Sequence, residues 1–181
     1  MALLRRTAFL LLGLGCVVLS PGAVASGGAL TEAQVKAGFL YNFAQFTEWP
    51  PRAPDEGSFV IGVIGDAKFG AALNQLTGRD VKGRKIAIRV VDEQDDLAGC
   101  AILFIASPDD RATASALARV GSLAVLTVGE SARFTKLGGI VQLYKENERL
   151  RFEVNVSRAQ LAGLRISSKM LGLAKITKEG S

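Results

Sequence analysis

Phe59-Val60-Ile61-Gly62-Val63-Ile64 decides the fold. A strand with one face in water alternates apolar and polar residues, and this run does not. It reads as a strand covered on both faces, which is the environment of a parallel sheet flanked by helices. Gly62 sits inside the strand, where a missing side chain permits close packing. Downstream, Gly65-Asp66 turns the chain into a helix through Phe69, Leu73 and Leu76. Residues 78–83 read as a turn, Lys85 to Val91 as an alternating strand, and Asp92 to Asp96 as an acidic loop. Ala101 to Ile105 repeats the unbroken apolar pattern. Pro108-Asp109-Asp110 opens a helix through Ala118, and Leu123 to Val128 is a fourth strand. The order strand, helix, strand, strand, helix, strand predicts a mainly parallel sheet with helices on its faces.

Upstream, Thr31 is placed as an N-cap, with Gln34 three residues later to close a capping box. Val35, Phe39, Leu40, Phe43 and Phe46 then fall at helical spacing, and the helix ends by Trp49-Pro50-Pro51. In the last third the pattern changes. Gly138-Gly139 precedes Ile140 to Tyr144, polar Lys145 to Glu148, and Leu150 to Val156, which together read as a β-hairpin. Ser157 is placed as the cap of a short helix. Leu164, Ile166, Met170, Leu171 and Leu173 predict a final amphipathic helix or a strand-to-helix segment. The expected fold is a single three-layer α/β domain: a mainly parallel or mixed sheet flanked by helices, with a C-terminal β-hairpin plus helix.

Residues 1–25 carry the marks of a cleaved signal peptide. Arg5 and Arg6 precede an apolar run from Ala8 to Leu19, Pro21-Gly22 breaks it, and Ala23-Val24-Ala25 offers a small-x-small cleavage pattern. The run falls short of the roughly 20 residues that a membrane span requires. An uncleaved anchor is one alternative. A lipoprotein is another, since Gly13-Leu14-Gly15-Cys16 resembles a lipobox, although it lacks the usual Leu at its first position. The expectation is export to the periplasm, with residues 26–181 forming the α/β domain. The leader holds two of the 22 Lys and Arg residues and none of the 17 Asp and Glu, so the charge falls from +5 to +3 on its removal. The remaining basic residues are scattered rather than interleaved with aromatics, which argues against a nucleic-acid partner.

The chain contains no histidine. This removes the commonest general base and the commonest metal ligand. Cys100 is the lone cysteine after the leader, so neither zinc spacing nor an internal disulfide is available. It reads as a small buried apolar residue, with a reactive or intermolecular thiol as the alternative. No nucleophile elbow or Walker loop appears, and Gly62-Val-Ile-Gly65 lacks the third glycine of a dinucleotide fingerprint. The pairs Asp95/Asp96 and Asp109/Asp110 fall in a loop and at a helix start, where carboxylates are solvated or capping. The expectation is a protein with no catalytic residue, no metal and no cofactor.

Two strings are distinctive: Val35-Lys-Ala-Gly-Phe-Leu-Tyr-Asn-Phe-Ala-Gln-Phe-Thr-Glu-Trp-Pro50, and Gly138-Gly-Ile-Val-Gln-Leu143 with Leu150-Arg-Phe-Glu-Val-Asn155 and Leu164-Arg-Ile-Ser-Ser-Lys-Met-Leu-Gly-Leu-Ala174. Together they resemble the YfiR/HmsC-like periplasmic regulators, over about residues 33 to 174. The resemblance implies a non-enzymatic homodimer that binds and represses an inner-membrane diguanylate cyclase, lowering cyclic di-GMP, exopolysaccharide output and biofilm formation. It also implies a partner on the outer-membrane side, such as a lipoprotein, that sequesters the repressor. Cys100 matches a family cysteine whose partner is missing here.

A repressor of that kind needs apolar anchors beside a few charges. Phe152, Ile166 and Leu171, with Glu153, Arg158 and Lys169, supply such a partner-binding surface if they project outward; the same spacing fits core positions. A second reading is a periplasmic small-ligand sensor acting on another membrane receptor such as a sensor kinase. Its pocket would be lined by Phe39, Phe43, Trp49 and Phe152. A third is an enzyme that uses a carboxylate such as Asp66.

Overall fold

The computed structural model describes residues 30–51, 57–92 and 94–177. The expected leader, residues 1–25, lies outside them. Helix α1 (Glu32–Phe46) begins with the capping box expected at Thr31: its side chain accepts from the Gln34 N–H, and the Gln34 side chain accepts from the Thr31 N–H. The chain then runs through β1 (Thr47–Glu48), β2 (Phe59–Ile64) and α2 (Ala67–Leu73), and a single 3-10 turn (Asn74–Leu76) follows. Next come β3 (Asp80–Val81), β4 (Arg84–Val90), β5 (Ile102–Ile105), α3 (Asp110–Val120) and β6 (Leu126–Gly129). The last third holds β7 (Val141–Glu146), β8 (Arg149–Asn155), α4 (Val156–Leu161), β9 (Arg165–Ile166), α5 (Ser168–Leu171) and β10 (Lys175–Thr177).

Eight strands form one mixed sheet in the order β10-β8-β7-β6-β5-β2-β4-β3, and β1 pairs with β9 in a separate two-stranded piece. The pairs of β2 with β4, β2 with β5, β5 with β6, and β6 with β7 are parallel, while β7 and β8 form the antiparallel hairpin. Successive strand residues point to opposite faces, and the two faces have different covers. Ile61, Val63, Ile102, Phe104, Leu126 and Val128 join Leu40 and Phe43 of α1 and Phe69 and Leu73 of α2 in one core. Leu103, Ile105 and Val125 join Ala116, Leu117 and Val120 of α3 in the other. The fold is therefore a three-layer α/β domain, and the lack of alternation in β2 and β5 follows from helices on both sides.

One expectation for the last third is corrected, and one pair of alternatives is decided. Asn155, not Ser157, caps α4, through its side-chain oxygen and the Arg158 N–H at 3.0 Å. Of the two readings of Leu164 to Ala174, one amphipathic helix and a strand-to-helix segment, the structure has the second, with β9 running into α5. Gly163 at φ +72° turns the chain into β9, α5 is a single turn, and β10 returns as a parallel neighbour of β8. The 130–140 segment is fixed by a ring: Phe134 is fully buried between Gly129 and Gly139, and a Cβ on either glycine would overlap it. The notable feature of Gly138-Gly139 is thus a close approach at the second glycine, with a φ of +96° at the first.

Candidate functional site

The segment 165–177 is built from elements too short to hold themselves, so local bonds fix each one. β9 pairs antiparallel with β1, placing Ile166 opposite Thr47 and Arg165 opposite Glu48. The Ser167 N–H donates to the Phe46 carbonyl at 2.9 Å, which ties the segment to the end of α1. The Ser167 hydroxyl caps α5 by accepting from the Met170 N–H at 3.3 Å. Met170 is the buried anchor, and Ile166 and Leu171 are half-buried against the larger core. Lys169 is exposed. Beyond α5, Leu173 is 76% exposed and Ile176 is 43% exposed, while Phe46 at the end of α1 is 38% exposed. Exposed apolar side chains gathered on one segment mark an interaction surface more often than isolated ones do.

The sheet's two edges differ. β3 is two residues long and carries Asp80, whose carboxylate accepts from the Gly83 N–H at 3.0 Å and lies 3.8 Å from Lys85. Charge and shortness blunt such an edge. β10 is paired on one side with β8 and carries Ile176. Thr177 donates its hydroxyl to the Val154 carbonyl at 3.3 Å, and Lys175 lies 3.4 Å from Glu153.

The six residues expected on a partner surface therefore separate. Ile166, Lys169 and Leu171 come together on 165–177. Phe152 does not project outward: it is a core side chain, its ring 5.7 Å from Phe39 and 5.1 Å from Phe43. Glu153 is also buried and accepts a hydrogen bond from the Thr135 hydroxyl. Thr135 in turn holds Asn155, whose side-chain N–H donates to its carbonyl at 3.3 Å. Glu153 thus pins the 131–139 loop and β10 to β8 from beneath the exposed segment. Arg158 stands elsewhere, its Nε donating to the Gly138 carbonyl at 3.1 Å. Leu173, Ile176 and Phe46 were not among the expected surface residues. Leu173 shares the apolar spacing of Ile166, Met170 and Leu171, and only the preceding Gly172 hints that the helix has already stopped.

The four rings expected to line one ligand pocket do not share one. Phe39, Phe43 and Phe152 close on each other, with Phe39 and Phe43 5.8 Å apart. Trp49 turns away to stack edge-on against Phe59 at 5.1 Å and donates its indole N–H to the Ala101 carbonyl at 3.1 Å. The carboxylates are engaged locally. Asp66 accepts from the Phe69 N–H at 2.9 Å, Asp95 from Asp92 N–H at 2.9 Å, and Asp96 from Ala98 N–H at 2.8 Å. Asp109 caps α3. Cys100 is buried with its thiol 3.1 Å from an Nη of Arg89.

A family model described as YfiR/HmsC-like matches residues 33–175, which spans α1 to the first residue of β10. The chain belongs to the YfiR/HmsC-like family. This family consists of periplasmic regulatory proteins rather than enzymes, associated broadly with diguanylate cyclase control. No curated protein matches the chain significantly. Among the described residues no helix is long and apolar enough to cross a membrane. The family match includes both the motif string in α1 and the closing string that forms β9 and α5, so the exposed 165–177 segment lies within it up to its last two residues.

Proposed function

We propose that this protein works in the periplasm as a homodimeric repressor that docks the 165–177 face on the periplasmic part of an inner-membrane diguanylate cyclase. Docking holds the cyclase in its inactive state, lowers cyclic di-GMP, and so reduces exopolysaccharide output and biofilm formation. A partner on the outer-membrane side relieves repression by drawing the protein away. The observation that carries this reading is the apolar set Ile166, Leu171 and Leu173 on a segment within the family match, with Ile176 just beyond its end.

The magnitudes are adequate. A repressor acts only through its differential affinity for the two states of its target, and a tenfold shift needs about 1.4 kcal/mol. Fully burying one Leu or Ile side chain contributes roughly 1.5–3 kcal/mol, so a single anchor seated in only one of the two states supplies that difference. Deleting the gene is expected to raise cyclic di-GMP, and the intact gene to restore it. Leu173→Ser and Ile176→Ser, both exposed, are expected to leave the protein folded and to fail in restoring repression. Ile166→Asp adds a charge to the same segment. Unchanged cyclic di-GMP on deletion overturns the cyclase reading. Full repression by the folded double variant Leu173→Ser, Ile176→Ser overturns the docking face.

A further inference from the structure

A hollow of about 480 Å³ opens between α3, α4 and the 137–138 turn, lined by small and apolar residues with one cation. Ala114 and Ala118 on α3 and Ala162 after α4 leave room where longer side chains would have closed the helices together. Leu117, Leu137 and Leu161 supply apolar wall, and Leu161 is 64% exposed at the rim. No residue of 165–177 takes part, so the hollow is separate from the proposed docking face.

Among the described residues Arg158 is the only charged one in the lining. Its backbone is fixed by the Asn155 cap at 3.0 Å, and its side chain by the bond from Nε to the Gly138 carbonyl at 3.1 Å. That bond uses one N–H and orients the guanidinium plane. The two Nη groups have no hydrogen-bond or ion-pair partner among the described residues. A guanidinium held by Nε keeps its terminal fork free for two parallel N–H···O bonds, the geometry that fits a carboxylate. A ligand hollow of this kind has apolar walls and a few fixed polar groups, within a few hundred Å³.

We propose that this hollow binds a small monocarboxylate with a compact apolar body. The carboxylate accepts from the Arg158 fork, and the body lies on Leu117, Leu137 and Leu161. The single positive charge selects against polyanions, which would need a second cation. The absence of any acidic side chain from the lining selects against amines. The site does not depend on which membrane protein is the partner. It supplies the fold with a place for a metabolite, unlike the aromatic pocket that the sequence led us to expect.

The test is calorimetric titration of the protein with benzoate, cyclohexanecarboxylate and hexanoate, against benzamide and inorganic phosphate. Saturable binding of at least one carboxylate is expected, at least tenfold tighter than benzamide or phosphate. Arg158→Gln is expected to weaken it at least tenfold, and Arg158→Lys to weaken it too, since a point charge replaces the fork. Ala118→Trp fills the hollow while leaving Arg158 in place, and is expected to abolish binding. It therefore decides the matter if the Arg158 variants fail to fold. No saturable binding of any carboxylate at millimolar concentration overturns the proposal. So does equal binding of benzamide or phosphate, and so does binding that a folded Ala118→Trp variant retains.

Discussion

In residues 59–129 the strands β2, β5 and β6 bury nearly every side chain between two helical layers, and apolar contact is the principal bond. In residues 130–177 a long hairpin, β7 and β8, is joined to the short elements α4, β9, α5 and β10, and polar pins connect them. Thr135 binds Glu153, Asn155 binds the Thr135 carbonyl, the Ile140 N–H donates to the Thr127 hydroxyl at 3.0 Å, and Phe134 fills a slot between two glycines. The first region is stabilised by area removed from water, which tolerates small rearrangements. The second depends on particular atoms, because a buried polar group that loses its partner costs more than the bond itself contributed.

Four measurements test that contrast, most simply by chemical denaturation. Ile61→Ala in β2 removes a fully buried side chain from between α1, α2 and the sheet, and about 4 kcal/mol of stability is expected to go. Gly139→Ala adds a single methyl against the Phe134 ring and is expected to cost about 3 kcal/mol, far more than an added methyl in open space. A neutral result there breaks the account of the 130–140 segment. Thr135→Val keeps the shape but strips Glu153 of its hydroxyl donor, for an expected loss of about 2 kcal/mol. Hydrogen exchange sharpens this third case: amides of β10 and the 131–139 loop should open faster, with those of β2 unchanged. Equal acceleration in both regions would show that the pins do not act locally.

The smallest effect concerns pH. Glu32 in the first turn of α1 accepts from Lys145 at 2.6 Å and from Lys36 at 2.8 Å, and Lys36 also reaches Glu130 at 2.7 Å. The hydrogen bond from Lys145, then that from Lys36, lowers the Glu32 carboxyl from its ordinary 4.5 to about 2. A carboxyl depressed on folding contributes stability that is present above pH 4.5 and is lost as pH falls toward 2. Glu32 is half-exposed, so solvent screening holds this contribution under about 1 kcal/mol. Glu32→Gln should flatten the stability profile between those two values, lowering stability by under about 1 kcal/mol at pH 7 and changing little near pH 2. An unaltered acid limb would remove the network from the stability account.

The same contrast explains what could be read in the residues. β4 and α3 were legible because burial on one face imposes a period, and β2 and β5 because burial on both faces leaves an unbroken apolar run. The Thr31 capping box was legible because its two partners lie three residues apart. The pairing of β1 with β9 was not, since it joins Thr47 to Ile166 and leaves no local trace. β10 was missed for the same reason: three residues carry too short a pattern to separate strand from helix end. At the surface, Lys169 is exposed and Ile166 and Leu171 are half-buried, whereas Phe152 and Glu153, whose outward projection the sequence left open, are buried. Alternation shows that neighbours face opposite ways without showing that both faces are covered. Helix α1 covers Phe152, and Thr135 and Lys175 cover Glu153.

Cys100 gives the fold an internal clock. Its sulfur has no exposure, lies beneath β2, and would be 2.9 Å from any Cβ placed at Gly62. A thiol reagent can reach it only when the packing of Gly62, Val91, Leu97 and Leu103 around it opens, so in a chain beginning at residue 26 the labelling rate counts openings of that core. Compared with the exchange rates of β10, that rate separates fraying of the edge from rupture of the whole domain, without any reporter having to be added.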